Sequence, residues 1–209
     1  MSRSPSVVLR TVPNLPVVGG PVSALRRPRN AEVREREFLT PIEVEQLVVA
    51  ARRRGRYGAR DAFAIRFAAR HGFRVSELCA LTWDSIDLAG GWLHVTRRKN
   101  GVPSTHPLLG DEVRDLRALK REARDSRFVF NNERGAPVSP AGFARMLQRA
   151  ADAAGFSFPV HPHMLRHAAG FRLANEGKNT RDLQLWLGHK NIQHTVRYTE
   201  LDGNRFKGW

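Results

Sequence analysis

A chain of 209 residues has room for one sizeable globular domain and a short appendage, and 41% apolar residues supply a core, which excludes wholesale disorder. Thirty-five basic residues against twenty acidic ones leave a net charge of +15, a balance that points to a polyanionic partner, nucleic acid first among them. Cys79 is the only cysteine, which excludes an intrachain disulfide and a zinc ribbon and fits a reducing cytoplasm, and no apolar run approaches the roughly 18 residues of a membrane span.

Residues 1–36 read as a flexible Arg/Pro-rich arm. Pro5, Pro13, Pro16, Pro21 and Pro28 punctuate it, and up to Asn30 it carries five Arg and no acid. Such a segment buries too little surface to fold alone. Residues 37–209 read as the functional domain. Thr40-Pro41-Ile42-Glu43 combines a cap residue, a Pro at the first helical position and the Glu of a capping box, followed by Val44, Leu47, Val48 and Ala51 at helical spacing. A second helix is predicted from Ala59 to His71, stopped by Gly72, and a short third from Val75 to Leu81.

The pattern then changes to strands over Thr82–Asp87 and Trp92–Thr96, joined at Gly90-Gly91. Asn100-Gly101 is a hairpin signal, since both residues tolerate positive φ, and Val102–Leu108 is the returning strand. Helices resume at Asp111–Ala123, at Pro140–Ala154 behind Ser139, at His163–Glu176, and at Arg181–Leu187 between Thr180 and Gly188. The expected fold is mainly α with a small antiparallel β-sheet.

Five places put phosphate-directed groups on element ends or turns. Arg74 opens a helix with Glu77 one turn on; alone, this is an ordinary surface pair worth under about 1 kcal/mol. Arg97-Arg98-Lys99 precede the Asn100-Gly101 turn, where a basic tip could enter a DNA groove or simply be solvated. In His161-Pro162-His163-Met164-Leu165-Arg166-His167, His163 and Arg166 share a helix face. His163 and His167 also have the i, i+4 spacing of a zinc pair. No Glu follows the first His and no third ligand is placed, so no metal is expected. Leu187-Gly188-His189 presents a histidine in a turn, and His194-Thr195-Val196-Arg197-Tyr198 ends the series.

In this order, the five segments resemble the tyrosine recombinase (phage integrase) family. The resemblance covers residue 38 to the C-terminus, and the nine-residue step from His189 to Tyr198 suits its pattern. His71-Gly72-Phe73-Arg74, Ser104-Thr105-His106-Pro107-Leu108-Leu109, His161 to His167, and Tyr198 with Arg205-Phe206 look closer still to the small recombinases that invert a promoter to switch fimbriae.

The resemblance implies a catalytic-domain fold of that family and a transesterification on double-stranded DNA. Tyr198 is the matching nucleophile, giving a 3′-phosphotyrosine that conserves the bond energy. Arg74 and Arg166 match the positions that receive the charge of the phosphate, His163 and His189 those that bond it and manage the tyrosine proton, and Lys99 the general acid. Glu77 matches the acid that buttresses the arginines, and Arg97 and Arg98 are DNA-binding candidates. No cofactor is implied, and no Walker-type glycine loop is present. A homotetramer on DNA, accessory DNA-bending proteins and a bacterial, nucleoid-associated location are further implications. The chain departs from most relatives in having only some 37 residues before the catalytic domain and eleven after Tyr198. A DNA-binding regulator on the same fold that no longer cuts is the rival function.

Overall fold

The computed structural model describes residues 36–97, 101–123 and 125–200. The arm expected over 1–36 therefore lies outside the described residues except at its last position. There, the Arg36 guanidinium donates to Glu43 (2.6 Å).

Helix α1 (Pro41–Arg52) starts as its sequence demands. The Glu43 amide donates to Thr40 Oγ1 (3.3 Å) and the Thr40 amide to Glu43 Oε2 (2.8 Å), so two orphan donors are satisfied reciprocally. Helix α2 (Gly58–His71) is buried over most of its surface and ends where Gly72 turns left-handed, at φ 65°. Helix α3 (Val75–Cys79) follows at once, with Arg74 as its extended N-cap.

The strand expected over Thr82–Asp87 is shorter than its pattern suggests. Thr82 makes only an isolated bridge to Phe128, Trp83–Ser85 form a 3-10 turn, and β1 is Ile86–Asp87. The Trp83 amide donates to the Arg127 carbonyl (3.1 Å), so this stretch pairs with the segment after α4 instead of extending the sheet. Strands β2 (Trp92–Val95) and β3 (Ser104–Pro107) complete an antiparallel sheet in the order β1-β2-β3. A two-residue turn at Asn100-Gly101 would set Val95 opposite His106; instead Val95 faces Ser104, and Leu93 faces His106. The shift is even, so Leu93, Val95 and His106 keep their inward faces. The ladder ends at Val95 and Ser104, and the connection between them runs through residues 96–103.

Four helices carry the rest: α4 (Gly110–Glu122), α5 (Pro140–Ala153), α6 (Pro162–Asn175) and α7 (Thr180–Leu187). Ser139 caps α5 as expected, through the Gly142 amide (3.0 Å). The cap of α7 is Asn179, one residue before the expected Thr180. A further helix, α8 (Gln193–Glu200), was not foreseen, because Thr195 and Val196 are β-branched and the segment lacks a long apolar stripe.

Helix α6 is the centre of the fold, packed by α1, α2, α5, α7 and α8. From Met164 to Gly170 every side of it is buried, yet the run contains Arg166 and His167. A buried arginine and histidine in an apolar interior are costly unless partnered, so their partners define the site. The larger apolar cluster joins α1–α3, α5, the sheet and the first half of α6. A smaller one comprises Ala169, Leu173, Ala174, Leu183, Leu187 and Tyr198. Among the described residues no helix is long and apolar enough to cross a membrane.

Candidate active site

Two glycine-ended helices create the scaffold. Gly72 closes α2 and Gly188 closes α7, both near φ 65°, and the turn after each supplies a candidate residue: Arg74 and His189. Arg166 ties the two ends together. Its Nη1 donates to the Gly72 carbonyl (2.5 Å) and its Nη2 to the Leu187 carbonyl (2.7 Å), so one guanidinium serves the electronegative ends of both helices. Only 1% of Arg166 is exposed, and burial together with Arg97 and Arg74 lowers its pKa to about 9. Two of its five N–H donors are spent on carbonyls.

Glu77 binds the other arginines. It accepts from Arg74 Nη1 (2.8 Å), from the Arg74 amide (3.0 Å) and from Arg97 Nη1 (2.9 Å). Burial pushes this carboxyl up, but the Arg74 amide and the two guanidinium groups outweigh it and hold it below the usual range. Arg74 remains partly open while Glu77 is buried, an arrangement that fixes a cation from behind and leaves its front free.

Arg97 differs from the sequence expectation of a groove-reaching hairpin tip. It is buried, bonded to Glu77 and to the Trp186 carbonyl (2.5 Å), because the close approach of Gly188 leaves room for its side chain. Its guanidinium is thus a clamp between the sheet, α3 and α7. Arg98 and Lys99 lie outside the described residues.

His163 stands on the open side of α6, with its pKa lowered by burial of its surroundings and by the positive charges of Arg166, Arg197 and Arg74. His189 is nearly buried; its Nδ1 pairs with Thr195 Oγ1 (2.8 Å), and burial with Arg166 and Arg74 brings its pKa down to about 3. A cleft of about 750 Å3 lies here, lined by Arg74, Arg181, Gly188, His189, Lys190 and His194 among others. Five basic or imidazole side chains in one wall suit a phosphate.

Tyr198 comes from α8 and packs into α6. Its ring meets Phe171 edge-on (centroids 5.1 Å apart) and lies over Gly170, where an added Cβ would come within 2.7 Å of it. Its hydroxyl lies 2.7 Å from His167 Nδ1, and Arg197 Nη2 lies 2.7 Å from His167 Nε2. Burial, with the positive charge of Arg197, lowers the His167 pKa to about 2. Burial raises the Tyr198 pKa, although Arg197 and Arg166 oppose the shift.

The structure thus brings Arg74, Glu77, His163, Arg166, His189 and Tyr198 together from three distant stretches of chain. His167 and Arg197 join them; sequence reasoning missed both, although His167 stood out as half of a suspected zinc pair. Its ring meets that of His163 edge-on at 4.5 Å and is committed to Tyr198. Among the described residues no group of three or more His, Cys, Asp or Glu could hold a metal ion.

The sequence model of the phage integrase family matches residues 37–205. Type 1 fimbriae regulatory protein FimB of Escherichia coli K12 is 40% identical over 183 residues, covering 85% of this chain and 91% of that protein. The crystal structure of XerA recombinase superimposes with a TM-score of 0.68 at 25% identity, over 81% of this chain and 62% of that one. A lambda integrase dimer bound to a COC′ core site gives 0.64 at 27% identity, over 83% and 49%. The chain therefore spans about half to two-thirds of these solved recombinases. On the family match and on its 40% identity to FimB over most of both chains, the protein belongs to the phage integrase family of tyrosine recombinases.

Proposed function

We propose that the protein is a site-specific DNA recombinase that breaks and rejoins strands through Tyr198, with residues 37–209 as the catalytic unit. The observation that carries the reading is the convergence of Arg74, His163, Arg166 and His189 on one cationic region beside a buried tyrosine. In the reaction, Tyr198 Oη bonds to phosphorus and the P–O5′ bond breaks. The tyrosine proton passes toward His163, and Lys99 gives a proton to O5′. Arg74 and Arg166 receive the charge that gathers on the non-bridging oxygens, where fixed donors are worth most.

At 1% exposure Tyr198 is out of reach of a phosphate, so the described geometry is a resting state. The hydroxyl must leave His167, and α8 must turn its tyrosine toward the cleft, before attack. A conserved-energy exchange of this kind needs neither metal nor ATP. The similarity to a fimbriae regulatory protein along 91% of its length, with the resemblance to promoter-inverting recombinases, favours inversion of a DNA segment; a homotetramer on DNA, with DNA-bending proteins assisting, is what the family resemblance implies.

The test is a supercoiled plasmid carrying the inverted repeats nearest the gene, incubated in EDTA without nucleotide. Inverted product is expected. Product that forms only with added magnesium or ATP would contradict the proposed chemistry, and bound but uncut plasmid would point to the silent regulator.

A further inference from the structure

The turn between α7 and α8 is held from two sides. Gly188 ends α7 at φ 65°, and His189 follows on the wall of the cleft with 9% of its surface exposed. Gln184, buried a turn earlier on α7, grips the main chain around it. The Gln184 carbonyl accepts from the His189 amide (3.0 Å), and its Nε2 donates to the His189 carbonyl (3.0 Å) and reaches the Lys190 carbonyl (3.4 Å). Arg181 Nη1 donates to Gln184 Oε1 (2.7 Å), which fixes the amide with its nitrogen toward those carbonyls.

With the backbone bound on both sides, the imidazole keeps only the freedom of its own side-chain torsions. The Thr195 hydroxyl removes it. Thr195 is fully buried in the first turn of α8, and its amide donates to the Ile192 carbonyl (2.7 Å). Its Oγ1 stands 2.8 Å from His189 Nδ1. Nδ1 is thus committed to the protein, and Nε2 is the ring nitrogen left for a ligand in the cleft.

Chemistry sets the direction of that bond. Burial and the charges of Arg166 and Arg74 hold the imidazole neutral at pH 7, with a pKa of about 3, so one ring nitrogen carries the proton. The oxygens of a phosphodiester accept and do not donate, so a neutral His189 that bonds one carries its proton on Nε2. Nδ1 then has only a lone pair, and the Thr195 hydroxyl donates to it.

We propose that Thr195 is a positioning residue whose hydroxyl holds His189 as the Nε2–H tautomer, aimed at the non-bridging oxygens of the scissile phosphate. The proposal rests on the reading of His189 as a phosphate partner. Thr195 stands a turn before Tyr198, so the start of α8 is anchored on His189 while its end carries the nucleophile. A valine of the same shape fills the space but gives Nδ1 no partner, which frees the ring to turn or to take the other tautomer.

The experiment has two readouts on the full-length protein. The first is NMR at pH 7 of protein labelled with nitrogen-15 at histidine, with the spectrum of His189→Gln identifying the His189 signals. A protonated Nε2 and an unprotonated Nδ1 are expected in the unaltered protein, and a mixture of tautomers in Thr195→Val. The second is single-turnover cleavage of nicked cognate DNA at saturating protein. Thr195→Val should cleave about tenfold more slowly, a part of the roughly 100-fold or more that a proton-handling group contributes. Thr195→Ser, which restores the hydroxyl, should return to within about threefold of the unaltered rate. In the His189→Gln background Thr195→Val should cost less than about twofold more, since it acts through that ring. A proton on Nδ1 of the unaltered His189 overturns the proposal, and this holds even if Thr195→Val does not fold. So does a Thr195→Val rate equal to the unaltered one, or a loss of the same size with and without His189. If His189→Gln cleaves at the full rate, or the unaltered protein cuts nothing, the reading of the site itself falls and takes the proposal with it.

Discussion

At the scale of single residues, the berth of Tyr198 is set by what is missing beneath it. Gly170 lets the ring lie directly on α6, and the phenol oxygen then falls within bonding distance of His167. Gly170→Ala puts a methyl group 2.7–2.8 Å from three ring carbons, while Ala is a better helix former than Gly by about 0.8–1 kcal/mol. The variant should therefore stay folded but expel the tyrosine from its resting place. Nitration of Tyr198 by tetranitromethane, read by mass spectrometry with Tyr57 as the internal comparison, should rise several-fold; unchanged protection would mean that the ring is not held by that contact. At this scale local patterns in the sequence marked Arg74, His163, Arg166 and His189 as candidates at a helix end, a helix face or a turn, whereas Tyr198 was marked only by the order of the five segments and their family resemblance. The sequence did not carry the inward turn of Arg97 or the bond from Tyr198 to His167. Both depend on contacts between segments far apart in the chain, and such contacts leave no local spacing to read.

At the scale of elements, the ends of α2 and α7 matter more than their interiors. Gly188 lies at φ 65°, and an added Cβ would come within 2.7 Å of the Arg97 side chain and of the Val102 carbonyl oxygen. Gly188→Ala combines left-handed strain with overpacking, which costs about 2–4 kcal/mol in all. A fall in the urea midpoint with an unchanged slope is expected; an unaltered midpoint would show that the close packing of α7 on the β2–β3 connection is not real. The capping box of α1, the Ser139 cap of α5 and the glycine stops were all legible, because caps are local chemistry. The sheet was less so. Thr82–Asp87 has strand composition, but Thr82 and Trp83 bond to the Arg127–Phe128 segment and only Ile86–Asp87 join the sheet, while β2 pairs with β3 two residues away from the register that the Asn-Gly turn signal predicts. Helix α8 forms although its residues favour it weakly, since Tyr198 and Thr195 gain burial against α6 and α7.

At the scale of the whole molecule, five histidines have pKa values lowered by burial and by arginines: His71, His106, His163, His167 and His189. The ordinary histidine value of 6.5 applies once the chain unfolds. Below it the unfolded state binds more protons than the folded one, so stability is complete above about pH 6.5 and falls as the solution is acidified. For His106 the loss reaches about 2 kcal/mol at pH 5. Glu77 and Glu112, with lowered carboxyl pKa values, extend the same trend below pH 4.5. Thermal melts should therefore drop between pH 7 and pH 5, before the carboxylates titrate. A flat profile there would mean that the histidines are not held neutral.

The central claim is that Tyr198 is the atom donor to the new phosphodiester. A nicked suicide substrate built on the cognate site loses its short 5′ fragment on cleavage and traps the protein on the 3′ end. The account predicts an SDS-stable protein–DNA adduct whose phosphate is carried by the peptide containing Tyr198, and no adduct from Tyr198→Phe. An adduct that survives Tyr198→Phe, or its absence from the unaltered protein on DNA that it binds, would contradict it.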